Sequence, residues 1–139
     1  QHDVDTTAMG DPIGMVSTVD RVEFPTSEVD RLSALLDSQG VEHQTGKVAT
    51  GEVFLTRGRR ADWIAETFTP LLCEMEGGAI AQVCLRSGVR FTALKTVSDR
   101  LCQANNAEEY FNYGEAMAKL NAIVLPFARA LRQDPSFSL

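Results

Sequence analysis

The sequence predicts an α/β fold with helices packed on both faces of a sheet. Three observations carry that prediction: apolar residues at helical spacing between Val29 and Leu36, a strand–helix–strand alternation from Leu71 to Val97, and a long amphipathic segment near the C-terminus. Strand, helix and strand within about 30 residues make a βαβ unit, whose crossover requires parallel pairing. Alternating elements of this kind bury their apolar faces by stacking helices against a sheet.

The elements follow in order. Gln1 to Phe24 carries Gly10, Pro12 and Gly14 between short β-branched runs and reads as strand and loop. Ser27 is placed to cap a helix whose Val29, Leu32, Leu35 and Leu36 share one face, and Gly40 stops it in the left-handed conformation. Val41 to Leu55 reads as a strand or hairpin segment interrupted by Gly46 and Gly51. A second helix covers Arg59 to Phe68, with Pro70 enforcing its end. Leu71 to Glu76 is a short buried strand, Gly77 to Ser87 a helix, and Val89 to Val97 another strand. The last helix runs from about Asn106 to Arg132 with Leu120, Ile123, Val124 and Phe127 on its apolar face. Pro126 should kink or break it. No internal repeat or low-complexity linker is visible.

Composition narrows the function. A chain of 139 residues fits one domain with a usable core, and 44% hydrophobic with 23% charged residues is ordinary for a globular protein. The net charge of −6 argues against nucleic acid, which needs a basic surface to displace counterions, but not against a small uncharged nucleoside. Cys73, Cys84 and Cys102 are odd in number and far apart, which fits reduced thiols in a cytoplasmic protein. No apolar run reaches the roughly 20 residues that span a bilayer, and no basic-then-apolar leader opens the chain. The start at Gln1, without a methionine, reads as a cut, a processed end or a partial chain.

Three segments carry candidate chemistry, each at the carboxyl end of a predicted strand, where α/β proteins bind ligands. In Cys73-Glu74-Met75-Glu76-Gly77-Gly78 two carboxylates end a strand and two glycines open a helix. Residues i and i+2 of a strand share a face, so Glu74 and Glu76 could together accept hydrogen bonds from a vicinal diol such as a ribose. From spacing alone, a strand end with solvated glutamates accounts for them at least as well. In Lys95-Thr96-Val97-Ser98-Asp99-Arg100 a strand delivers Asp99 to its lip, with Ser98 beside it to orient the carboxylate. A carboxyl held partly out of water serves as a general acid, whereas a turn or helix cap also accounts for such an aspartate. In Thr50-Gly51-Glu52-Val53-Phe54-Leu55 an aromatic after a glycine could stack on a base, or simply fill the core. His2-Asp3-Val4-Asp5 has too few ligands for a metal, since His43 is the only other histidine.

Taken together, His2 to Gly10, Thr50-Gly51-Glu52-Val53-Phe54, Glu74 to Cys84 and Val97-Ser98-Asp99 resemble the nucleoside phosphorylase/nucleosidase superfamily. The opening run and Ala79-Ile80-Ala81-Gln82-Val83-Cys84 resemble most narrowly its methylthioadenosine/S-adenosylhomocysteine nucleosidase branch. The resemblance implies a three-layer α/β/α fold with a central mixed sheet, nucleoside phosphorylase-like and lacking the N-terminal half. Residues 1–139 would then be the C-terminal part of a single domain. It implies hydrolysis of an adenine N-glycosidic bond without cofactor or metal, in a homodimer. Asp99 would protonate or hydrogen-bond N7 of the adenine, with Ser98 orienting it. Glu76 would hold the ribose hydroxyls, Met75 would pack on the sugar, and Glu74 would lie near the sugar or water. Phe54 would stack on the purine while main-chain groups near Leu55 read its edge. Met9 stands where the family has an aromatic that crosses the dimer interface into the neighbour's alkylthio pocket. Lys95 replaces a common arginine, and Tyr110 and Phe111 are candidates for the aromatic expected after Asp99. The glutamate that activates water belongs to the family's N-terminal half, so that half, or a second polypeptide supplying it, is an expected partner. The remaining readings are a purine nucleoside phosphorylase of the same superfamily, with phosphate in place of water, and a non-catalytic partial chain.

Overall fold

The computed structural model describes residues 1–101 and 112–133. In chain order it contains a 3-10 turn at Thr7–Met9, helix α1 (Val29–Ser38), strand β1 (Val48–Thr50), helix α2 (Arg59–Phe68), strand β2 (Leu72–Glu74), helix α3 (Gly77–Arg86) and helix α4 (Tyr113–Gln133). They belong to two compact units: Gln1–Ser27 with Thr45–Ala93, and Glu28–Gln44 with Leu94–Leu139. No helix among the described residues is long and apolar enough to cross a membrane.

In the first unit β1 and β2 pair in parallel, Val48 opposite Leu72, Ala49 opposite Cys73 and Thr50 opposite Glu74. Parallel neighbours require a crossover, and α2 supplies it. The βαβ unit is therefore β1–α2–β2, one step earlier along the chain than the alternation of apolar runs implied. The strand expected over 89–97 is not formed. Instead the Phe91 carbonyl accepts the Ser27 N–H at 3.0 Å and the Thr92 hydroxyl donates to the Ser27 carbonyl. An apolar, β-branched run becomes a strand only where a neighbour supplies a ladder of N–H and C=O groups. The expected strand over 41–55 shrinks to Val48–Thr50 for the same reason, and the opening stretch forms the 3-10 turn and a single antiparallel bridge, Val16 to Arg21.

α3 packs on β1, and the core of this unit gathers Ala49 from β1, Ala61 and Ile64 from α2, Ala81 from α3, and Val16. Ile64, 1% exposed, is its largest fully buried side chain. Small residues dominate, so backbones approach closely. Helix α2 has the bounds the sequence predicts. Ala61 and Ile64, three apart, turn inward, while Trp63 meets Phe68 edge to face with ring centroids 5.6 Å apart. Its end shows the cost of Pro70. A residue before proline is barred from the helical region, and Thr69 escapes into the left-handed region at φ 47°.

The second unit joins α1 and α4, with Leu36 and Ala116 buried. Ser27 does not cap α1: Glu28 occupies the cap position at φ 63°, with no side-chain cap bond. Glu28 pairs instead with Arg31 at 3.0 Å. The stop at Gly40 forms as expected. At φ 68° its N–H reaches the Asp37 carbonyl (2.9 Å) and the Val41 N–H reaches that of Leu36 (3.0 Å), a Schellman pair. His43 ties the exit loop back to the helix. Nδ1 donates to the Val41 carbonyl at 2.9 Å, which leaves Nε2 to accept the Ser33 hydroxyl at 2.6 Å. α4 begins at Tyr113, and the start expected near Asn106 lies outside the described residues. The expected break at Pro126 is absent, for the helix runs through it to Gln133. Proline there forgoes one backbone bond without ending a helix of 21 residues.

A β-branched side chain in the left-handed region is strained, at about 1–2 kcal/mol. Thr69→Asn should therefore raise stability by about 1 kcal/mol, read as a higher urea midpoint at unchanged slope.

Candidate functional site

Because β1 and β2 run parallel, their carboxyl ends meet at one edge of the first unit. There the structure brings together Thr50 to Leu55 and Glu74 to Gly78. The strand ends at Glu74, so the alternation that would have set Glu74 and Glu76 on one face does not continue. Met75 lies in the bend, and Glu76 is the cap residue of α3 with its side chain exposed. The two carboxylates consequently have different surroundings.

Glu74 is held by backbone and hydroxyl donors. Its Oε2 accepts the N–H groups of Gly77 at 2.6 Å and Glu76 at 3.1 Å, and its Oε1 accepts the Thr50 hydroxyl. Thr50 Oγ1 in turn accepts the Gly78 N–H at 2.9 Å. Three of the four orphan N–H groups at the start of α3 are thus satisfied from β1 and β2, and a carboxylate sits at the positive end of the helix. The sequence reading missed Thr50. Its hydroxyl is buried at the end of β1 and needs partners, but a threonine in that sequence position does not announce them.

Phe54, three residues beyond Gly51, is 46% exposed, which removes the reading of it as a core residue. Leu55 is half-buried and Met75 is exposed. Met9 ends the 3-10 turn at 80% exposure. Of the opening motif, His2 is buried, while Asp3 accepts the Glu52 N–H at 2.6 Å. Asp5 accepts the N–H and hydroxyl of Thr7 at 3.1 and 2.7 Å, holding its carboxyl below the usual range. Among the described residues no three His, Cys, Asp or Glu side chains group as metal ligands.

Ser98 and Asp99 belong to the second unit. The Ser98 hydroxyl donates to Asp99 Oδ1 at 2.7 Å, the orientation that the adjacency of the two residues predicts. The Ser98 carbonyl accepts the Asn112 N–H at 2.9 Å. Asn112 also caps α4: its Oδ1 accepts the Glu115 N–H at 3.2 Å while its Nδ2 donates to Glu115 at 2.6 Å. That spacing, Asn followed three residues later by Glu, is a capping signal that could have been read in the sequence. Lys95 is exposed in this unit, and Tyr110 and Phe111 lie outside the described residues. Cys73 and Cys84 are free thiols, and Cys102 lies outside the described residues.

A family model described as the phosphorylase superfamily matches residues 1–129. The chain belongs to that superfamily. Among its curated relatives, a 5'-methylthioadenosine/S-adenosylhomocysteine nucleosidase of Shewanella halifaxensis is 35% identical over 111 residues, covering 76% of this chain and 46% of the relative. One from Geobacillus kaustophilus is 32% identical over 139 residues, covering 95% and 57%. A crystal structure described as the same nucleosidase from Francisella philomiragia superposes with a TM-score of 0.80 at 27% identity, covering 93% of this chain and 57% of that one. The phosphorylase-superfamily α/β fold expected from sequence is borne out, and the chain spans about half the length of the curated relatives it matches.

The Thr50 network yields a stability test. Thr50→Val keeps the shape but strands the Gly78 N–H and takes one donor from Glu74, and should cost about 1–3 kcal/mol in chemical denaturation. His2 yields a pH test. Burial is the largest cause pushing its imidazole below the ordinary 6.5, against the opposing pull of Asp3. The folded state resists a proton that the unfolded chain accepts, so this stability is complete above pH 6.5 and is lost as pH falls below it. His2→Gln should flatten that acid limb in urea midpoints measured on either side.

Proposed function

We propose that the intact protein hydrolyses the N-glycosidic bond of 5'-methylthioadenosine or S-adenosylhomocysteine, releasing adenine and a thioribose product. The observation that carries this reading is the Ser98–Asp99 hydrogen bond, in a chain whose curated relatives are named for that hydrolysis. Breaking the bond builds positive charge on the sugar and negative charge on the purine. A proton given to N7 neutralises the second, and such an acid is worth about 10²–10⁴-fold. Ser98 occupies Oδ1 of Asp99 as a donor, so the transferable proton belongs on Oδ2. Asp99 is the acid and Ser98 holds it.

The remaining assignments follow the family positions. Phe54 stacks on the adenine and the main chain near Leu55 reads its edge; its exposure suits a platform. Glu76 accepts the ribose hydroxyls, with Met75 packed on the sugar and Glu74 near it. Met9, exposed at the end of its turn, reaches across the interface of a cytoplasmic homodimer. The chain acts as the C-terminal part of a single domain, and the group that activates water comes from the family's N-terminal half.

Asp99→Asn preserves shape and removes the proton. In the intact protein it should lower kcat by about 10²–10⁴-fold with melting unchanged. Full activity in that variant would end the assignment. Adenine release that proceeds equally with and without inorganic phosphate identifies a hydrolase, whereas strict dependence on phosphate identifies a phosphorylase.

A further inference from the structure

The opening motif and the loop after β1 are far apart in sequence and locked together in space. The His2 N–H donates to the Thr50 carbonyl at 2.9 Å, and the Glu52 N–H donates to Asp3 Oδ2 at 2.6 Å across 49 residues. Between these bonds the His2 ring lies directly on the Gly51 backbone. A Cβ added at Gly51 would fall 2.2 Å from His2 Cε1 and 2.4 Å from Nε2, so only glycine fits beneath the ring. His2 is 3% exposed, and neither of its ring nitrogens has a hydrogen-bond partner among the described residues. A buried polar ring without partners is costly, which an apolar ring of similar size would avoid. On the opposite side the Gly51 N–H donates to the Glu74 carbonyl at 3.1 Å, continuing the β1–β2 ladder. Residues 50–52 are therefore held from two sides, and Phe54 stands two residues beyond the last of these bonds.

We infer that His2 and Asp3 are positioning residues that set the backbone of the loop carrying Phe54, and so fix the height and tilt at which that ring meets a purine. The inference rests on the stacking assignment of Phe54 and adds two residues to it that touch no substrate. Asp3 clamps the loop by its carboxylate and His2 by its backbone and the face of its ring. The energetic logic is pre-organisation. A stacking platform that must be ordered on binding gives back part of what the stack contributes, and a platform ordered in advance does not.

The test uses the intact protein, with 5'-methylthioadenosine as substrate and free adenine as binding probe. Asp3→Ala removes the acceptor for the Glu52 N–H and should raise KM on the order of tenfold, the scale of a lost base stack, while kcat stays near its original value. Asp3→Asn retains an acceptor oxygen and should restore KM. Gly51→Ala, which must displace the His2 ring, should reproduce the Asp3→Ala pattern and serves if that variant does not fold. In the double variant Asp3→Ala/Phe54→Ala the two effects should not add, because each removes the same stack.

Unchanged KM and adenine affinity in folded Asp3→Ala, or full additivity with Phe54→Ala, would overturn the inference. So would a loss that Asp3→Asn does not rescue. Phe54→Ala alone separates this failure from that of the parent reading. If it leaves adenine affinity unchanged, the stacking assignment falls. If it weakens affinity while Asp3→Ala does not, only the clamp falls.

Discussion

The first unit depends on where one hydroxyl sits. Thr50 Oγ1 donates to Glu74 and accepts from Gly78, so β1, β2 and the start of α3 share a single atom. That atom is usable only in the register that sets Thr50 opposite Glu74. A slip of one residue would point the hydroxyl to the other face of the strand and leave the helix start without its partners. Two three-residue strands make too little ladder to fix a register by themselves. The capping network does it for them, and register in turn decides which residues reach the carboxyl edge.

Much of the architecture was legible because it is locally punctuated. α2 keeps the bounds read from its pattern because Pro70 bars the residue before it from the helical region, and α1 stops where Gly40 can turn left-handed. What could not be read was strand pairing. Residues 89–97 have strand composition and no ladder among the described residues, whereas Val48–Thr50 is shorter than any window that detects alternation. The cap of α1 was misread for a related reason. Ser27 has the right chemistry, but its backbone is bonded to Phe91 and Thr92, 64 and 65 residues away.

The same division runs through the candidate site. Ser98 beside Asp99 is a local pair, and adjacency was enough to predict the hydrogen bond. The bonds that hold the Phe54 loop and the start of α3 span 24, 28 and 49 residues and leave no mark on composition or period. The opening motif illustrates the limit. Read locally, His2, Asp3 and Asp5 are two carboxylates and an imidazole, the raw material of a metal site. In the fold each serves a different neighbour: Gly51, Glu52 and Thr7.

The two carboxylates of the Glu74–Glu76 pair show how the fold sorts residues that sequence cannot separate. Glu74 receives two backbone N–H groups and a hydroxyl at the positive end of a helix, so a ligand recruiting it would have to break bonds that organise α3. Glu76 contributes its backbone to the cap and leaves its side chain exposed at the same edge. A carboxylate that binds a diol must exchange water for hydroxyl groups at little cost, and the exposed one meets that condition. The half-buried, hydrogen-bonded partner meets a different one, rigidity, because the edge that presents Glu76 is only as fixed as the helix start beneath it. The helix cap and the exposed acid thus share one bend, and the spacing of two between them follows from ending a strand and starting a helix there.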